Sequence, residues 1–373
     1  MKLLFAGDYY PNERITALFS KGELESAFSE VKRINETVDY AIVNFECTVA
    51  YDTDKPIQKS GPCLKTKEIG VEALKLAGFN LLCLANNHFR DYGSSAVEKT
   101  IRAIEKNNLD FVGGGNDIQE ASAVFYKEID KKNVAFINVC ENEFSIASEK
   151  RGGSNPLNSI SQYYQIKEAR KKADYVFLII HGGHEYCQEP SLRMKQVYRF
   201  FIDAGADAII NHHQHCYCSY EVYNGKPIFY GLGNFCFDRL NDTLPETWNY
   251  GYIVVLSIEG ESLNFSVIPY EQCLNNHIVH FIEDKTEFEE NIKYLNHILI
   301  DENSHTEYLH DFYKSQPVIG ITVPYLGGHW WRLRKYVKNH IHPMWYYDFR
   351  DFVLCESHHE RLSYELENII DNQ

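Results

Sequence analysis

Up to about residue 270 the chain alternates short unbroken apolar runs with longer stretches of mixed character. The runs at 3–6, 40–45, 81–85, 134–139, 175–180, 208–210, 227–230, 252–258 and 263–268 predict strands. They are apolar at successive rather than alternate positions, as strands covered on both faces are. Between them, the stretches near 22–36, 67–77, 94–107, 160–173 and 190–204 predict helices. That rhythm belongs to an α/β layered fold. The later strands follow one another across Asn224-Gly225 and Glu259-Gly260, so antiparallel pairing is expected at the end of the core. Beyond about residue 275 the texture changes. Residues 284–316 read as polar helices, 317–328 as a linker, and 329–373 as a Trp-, Tyr-, His- and Arg-rich stretch ending in a charged helix. The expected organisation is a core of residues 1–274 and a mainly helical extension, 275–373. The chain shows no internal repeat and no low-complexity segment.

Composition narrows the class. A hydrophobic fraction of 44% and a charged fraction of 24% are those of a globular protein. A net charge of -15 argues against a nucleic-acid binder, which presents a basic face. The N-terminal apolar run is cut by Asp8, too early for a signal-peptide core. The run at 175–180 is far below the ~18 residues that cross a bilayer, so a soluble, cytoplasmic chain is expected. Of the ten cysteines, Cys47, Cys83, Cys140 and Cys236 lie in or beside apolar runs, and no Cys-x-x-Cys occurs. Reduced, structural thiols are expected. The segment HWWRLRKYVKNHIHPMWYY, 329–347, is basic and aromatic within an acidic chain. It reads either as an interfacial helix touching a membrane or lipid-linked precursor, or as a packed segment with solvated charges.

The candidate chemistry is positional. LLFAG ends at Asp8; YAIVNF holds Asn44 and ends at Glu46; LLCLA ends at Asn86, Asn87 and His88. YVFLII ends at His181, DAIIN at His212, His213 and His215, and IFYGLG at Asn234. Open α/β sheets bind ligands outside the carboxyl ends of their strands. Each residue alone could be a turn, a cap or a loop group; the repetition at one end of successive strands points to a shared crevice. Carboxylate oxygens suit hard divalent cations and imidazoles suit transition metals. An H-x-H at His213 and His215 would place both rings on one side of an extended segment. Two ions ~3.5–4 Å apart can clamp a phosphoryl oxygen and activate water. Asp91, three residues after His88, either orients that ring or is a turn acid. Glu185, four after His181, either supports the ligands or is a surface acid. Gly113–Gly115 either approach an anion or make a tight turn. Asn234, beside Gly233, either touches the site or caps its turn.

In this order, FAGDYY, VNFECTV, LANNHFRDYG, FVGGGNDIQEA, IIHGGHEY, NHHQH and GLGNFCFD resemble the CapA family, named for poly-γ-glutamate capsule synthesis. The resemblance covers residues 1 to about 270. It implies a calcineurin-like metallophosphatase fold, a four-layer sandwich of mixed β-sheets flanked by helices. By the same resemblance, Asp8, Glu46 as a bridging carboxylate, Asn87, His181, His213 and His215 are metal ligands for one or two divalent ions, Mn, Zn or Fe. His88 then contacts substrate, with Asp91 behind it. Asn44, Asn86, Glu185, His212 and Asn234 are the remaining candidates for substrate contact. The chain departs from the pattern at Tyr10, where the superfamily has a histidine, so one ion should be held more weakly. It departs again at Gly182, Asn211 and Gln214. The implied function is metal-dependent hydrolysis of a phosphate ester or related polar bond in capsule or cell-surface polymer synthesis. The substrate would be a small polar or phosphorylated compound, or a capsule precursor. The alternatives are a non-hydrolytic accessory factor of amide or glycan assembly, and a non-catalytic binding module.

Overall fold

The computed structural model describes residues 1–20, 27–239, 243–260, 262–274, 278–315, 350–351 and 353–371. Its main strands are β1 (Lys2–Tyr10), β2 (Tyr40–Phe45), β3 (Leu81–Cys83), β4 (Asp110–Val112), β5 (Phe125–Ile129), β6 (Lys132–Cys140) and β7 (Tyr175–His181). They continue with β8 (Ala208–His212), β9 (Tyr220–Tyr223), β10 (Lys226–Phe229), β11 (Asn234–Phe237), β12 (Tyr250–Glu259), β13 (Ser262–Gln272) and β14 (Val279–Phe281). An eight-stranded sheet runs β14-β13-β12-β1-β2-β3-β4, with β11 also paired to β1. A six-stranded sheet runs β9-β10-β8-β7-β6-β5. Both are parallel in the middle, and β12, β13 and β14 pair antiparallel, as do β9 with β10 and β5 with β6.

The period of two along each strand sorts its side chains between layers. Leu3 and Phe5 face the second sheet and share a core with Phe136 and Phe177. The Phe5 and Phe177 rings meet edge-on at 6.0 Å. Leu4 and Ala6 point the other way, into a core with Val31, Val71, Leu74, Val97 and Ile101 from helices Ser29–Asn35, Glu68–Leu76 and Gly93–Lys106. The outer face of the second sheet packs on Ile166, Tyr198 and Phe201 of helices Ser159–Ala169 and Leu192–Ala204. The order is helix, sheet, sheet, helix: the expected four-layer α/β sandwich. Local chemistry agrees. Asn158 and Ser191 cap their helices by accepting from Ser161 and Met194 backbone N–H groups. Asn224 and Gly225 are both left-handed, φ 48° and 75°, as a two-residue hairpin turn between β9 and β10 requires.

The expected boundary at 274/275 falls inside the fold. β14 pairs with β13. Phe288, Ile292 and Leu295 of helix Thr286–Ile300 are buried in the core between the sheets, and Leu299 in the outer one. Residues 278–315 are therefore part of the core, not an appendage to it. At about 1.5–3 kcal/mol per buried large apolar side chain, their contribution is large. Helix Glu302–Ser315 follows, and helix Glu356–Asp371 ends the described chain. The linker 317–328 and the basic aromatic segment 329–347 lie outside the described residues, as do 22–26 of the first expected helix. All ten cysteines are free thiols. No described helix is long and apolar enough to cross a membrane.

Candidate metal centre

Strand register brings the polar residues level. β1 aligns Asp8 with Asn44 on β2 and with Asn234 on β11. β7 aligns His181 with His212 on β8 and with Cys140 on β6. The register of β1 shifts between Ala6 and Asp8, and Gly7 makes the shift possible. A Cβ there would lie 1.9 Å from the Gly233 carbonyl oxygen, the group that accepts from the Asp8 backbone N–H at 3.0 Å.

Two sets of side chains meet at this edge. The ligand atoms of Asp8, Glu46 and His215 lie within 4.8 Å of one another, and so do those of Glu46, His181 and His213. Glu46 belongs to both. His181 Nε2 is 3.6 Å from Glu46 Oε1, 3.1 Å from Asn87 Oδ1 and 3.1 Å from His213 Nδ1. His215 Nε2 is 3.7 Å from Glu46 Oε1, and its Nδ1 is 3.6 Å from Asp8 Oδ2. Glu46 is fully buried, and neither of its oxygens has a hydrogen-bond partner among the described residues. Burial, with Asp8, Glu185 and Glu143 near, pushes its pKa well above the carboxylate range. His181 is driven well below the imidazole range by burial and by His213, His212 and His215. Burial works to raise Asp8, but its bond with His212 and the surrounding imidazoles hold it low. A buried carboxylate without donors is costly. The oxygen and nitrogen groups that converge on it are of the types that ligate divalent cations. The H-x-H pair does not sit on an extended segment, contrary to expectation. His213 and His215 have left-handed backbones, φ 101° and 54°. A turn, not a strand, brings their rings to 6.0 Å, and such strained conformations cluster at functional sites.

His88 stands beside Asn87. Its Nδ1 is 2.6 Å from Asp91 Oδ2, which also accepts from the Leu64 backbone N–H at 2.7 Å. Burial and the nearby Lys59 charge lower its pKa to about 4. Among the residues expected to touch substrate, Asn44 donates to Asp8 Oδ1 at 2.8 Å and lies 3.2 Å from His181 Nδ1, joining the two sheets. Asn86 spends its side chain on the Phe45 carbonyl and the His88 backbone N–H. His212 Nδ1 is 3.3 Å from Asp8 Oδ1. Asn234 holds His215 Nδ1 at 2.9 Å and donates to the His215 and Trp248 carbonyls. All four are buried. Glu185 is exposed, with His213 and His215 in reach. Tyr10 packs edge-on to Phe237 at 4.9 Å and belongs to the outer core.

Residues 2–239 match the family model described as bacterial capsule synthesis protein PGA_cap. The chain belongs to this family. It is 33% identical over 247 residues to the capsule biosynthesis protein CapA of Bacillus anthracis, covering 64% of this chain and 60% of that protein. It is 35% identical over 239 residues to the PGA biosynthesis protein CapA of Bacillus subtilis strain 168, covering 63% of each. The matches thus span about three fifths of these relatives. Among solved structures, a 5'-nucleotidase precursor from Thermus thermophilus aligns with 9% identity and a TM-score of 0.42, over 84% of this chain and 59% of that one. A hypothetical protein from the same organism aligns with 16% identity and a TM-score of 0.45, over 73% and 99%. Likenesses this loose carry no argument about function.

Three further groups stand beside this centre. Lys59 Nζ lies 2.5 Å from Asp91 Oδ1 and 3.1 Å from His88 Nδ1, with both ion-pair side chains buried. It comes from an irregular loop, where no periodicity marks it. Glu143 accepts from Asn87 Nδ2 at 3.2 Å and lies 3.7 Å from His213 Nε2. Burial and Asp351 raise its pKa to about 8. Glu141 pairs with Arg193 at 2.5 Å and accepts from the Ser357 backbone N–H and hydroxyl, anchoring the C-terminal helix beside the centre. Both glutamates follow the apolar run 134–139, so the rule that found the others also points to them.

Proposed function

We propose that this chain is a divalent-metal-dependent hydrolase of a phosphate ester or related polar bond, serving the assembly of a capsule or cell-surface polymer of the poly-γ-glutamate or polysaccharide type. The observation that carries the reading is Glu46: a fully buried carboxylate without a hydrogen-bond partner among the described residues, shared by two sets of ligand-type side chains. The residues fit a pair of cations. Asp8, Glu46 and His215 would hold one; Glu46, Asn87, His181 and His213 the other. When bound, such ions polarise a phosphoryl oxygen and lower the pKa of a bound water. The chain's own groups do the rest. Asp91 orients His88 through Nδ1, leaving Nε2 for an oxygen of the substrate. General acid–base help of that kind contributes ~10²–10⁴-fold in rate. Asn44 keeps Asp8 and His181, one from each sheet, in register. The substrate in this reading is a small polar or phosphorylated compound, or a capsule precursor.

Elemental analysis of the purified protein, beside turnover of p-nitrophenyl phosphate and bis-p-nitrophenyl phosphate, tests it. Metal together with chelator-sensitive turnover supports hydrolysis. A second reading, a non-hydrolytic accessory factor, draws on Tyr10, whose place in the core leaves the Asp8 set with His215 as its one imidazole. Metal without turnover of either ester, together with polymer binding, would favour it.

A further inference from the structure

A third set of ligand-type side chains overlaps the first two. The ligand atoms of Glu185, His213 and His215 also lie within 4.8 Å of one another. This set takes one imidazole from each of the others: His213 from the Glu46–His181 set and His215 from the Asp8–Glu46 set. Glu46 thus belongs to both halves of the centre, while Glu185 approaches one imidazole of each, and the two carboxylates differ in surroundings. Glu46 is fully buried; Glu185 is exposed. Glu185 sits on the loop that leaves β7 after His181, and the chain turns at the next residue, where Tyr186 is left-handed with φ 66°. The loop therefore returns a carboxylate to the solvent side of the same imidazoles.

We propose that Glu185 is a further metal ligand of this chain, acting with His213 and His215 from the open side of the centre. The inference rests on the metal-centre reading above. It is chemically reasonable on two counts. An exposed carboxylate loses little hydration on ligation, whereas an isolated buried charge is costly. Carboxylate oxygens, singly or in pairs, also suit the hard divalent ions named here. Glu185 is solvent-exposed and Glu46 is not, so Glu185 is the one of the two carboxylates that faces solvent.

The test compares wild type, Glu185→Gln, Glu185→Asp and Arg361→Ala, each stripped with chelator and titrated with Mn²⁺ by calorimetry and electron paramagnetic resonance. Arg361 serves as control because it feels the Glu185 charge from the C-terminal helix. The expected result is two ions in wild type. Glu185→Gln should weaken the looser ion by about tenfold or more and lose the exchange-coupled Mn–Mn signal. Glu185→Asp should keep part of both, and Arg361→Ala all of both. Unchanged affinities and spectrum in Glu185→Gln overturn the inference alone, as does an equal loss in Arg361→Ala. A wild type that takes up no ion overturns the metal-centre reading, and this with it.

Discussion

A buried ion pair and a buried lone carboxylate sit close together in this molecule, and they should answer substitution in opposite ways. Lys59 and Asp91 have side chains 2% and 0% exposed. Removing one partner strands the other charge, which costs about 3–5 kcal/mol. Lys59→Met should lower the unfolding free energy by about that amount in urea titration, and Lys59→Met with Asp91→Asn should recover most of it. Glu46 has no hydrogen-bond partner among the described residues, only two imidazoles at 3.6 and 3.7 Å. Burial and the nearby Asp8, Glu185 and Glu143 already work against its charged form, so Glu46→Gln puts an uncharged isostere where a charge is disfavoured. That variant should keep its urea midpoint and lose its metal. The two imidazoles beside them should separate likewise. His88→Asn should keep metal and lose ~10²–10⁴ in kcat; His181→Asn should lose both. Much of this site is legible in the sequence, because Asp8, Glu46, Asn87, His88, His181, His213 and His215 all follow apolar runs. Lys59 is not, since a loop residue carries no periodic mark. Nor is the left-handed turn that joins His213 to His215, because the letters H-Q-H do not specify φ.

At the scale of elements, the short central strands are readable because both faces are buried and the apolar letters run on. The edges are not. Phe125–Ile129 alternates between partly buried and exposed positions, and Asp110–Val112 and Val279–Phe281 are three residues long. The same weakness hides the role of residues 278–315, whose helices look polar because one stripe only is buried. Leu295→Ala should cost about 2–5 kcal/mol, and a chain cut at 275 should fail to give a cooperative urea transition. The last helix depends on charge instead. His358 Nδ1 is 2.6 Å from Asp351 Oδ2. Burial pulls its pKa down, but that bond and the Glu143 and Asp351 charges win and raise it to about 9. A pKa raised on folding gives stability that is complete below the unfolded value of ~6.5. It is then lost as pH climbs through 9. Wild type should therefore lose more stability than His358→Asn between about pH 6.5 and pH 10; equal losses would sink the assignment.

At the scale of the whole molecule, the centre lies at the carboxyl edge that the two sheets share. Asp8, Glu46 and Asn87 come from β1 and the ends of β2 and β3, all in the eight-stranded sheet. His181, His213 and His215 come from the ends of β7 and β8, in the six-stranded sheet. Each proposed cation set takes members from both sheets. A bound ion would therefore cross-link the two sheets, and its binding energy would appear as stability of the entire fold. An ion that binds the native chain alone stabilises it by about 2.7 kcal/mol at a hundred times its dissociation constant. For a chain of this size, with an unfolding entropy of about 0.8 kcal/mol/K, that is roughly 3–4 °C in Tm. Saturating Mn²⁺ after chelation should raise Tm by about that much and keep a single transition. Asp8→Asn, on one sheet, and His181→Asn, on the other, should each blunt the rise. The two sets are unequal, because Tyr10 leaves the Asp8 set short of an imidazole, so the rise should come in two steps as Mn²⁺ increases. Two equal tight steps would show that another donor makes up the deficit. A transition that splits on chelation would show that the sheets do not unfold together, and that the ions do not join them.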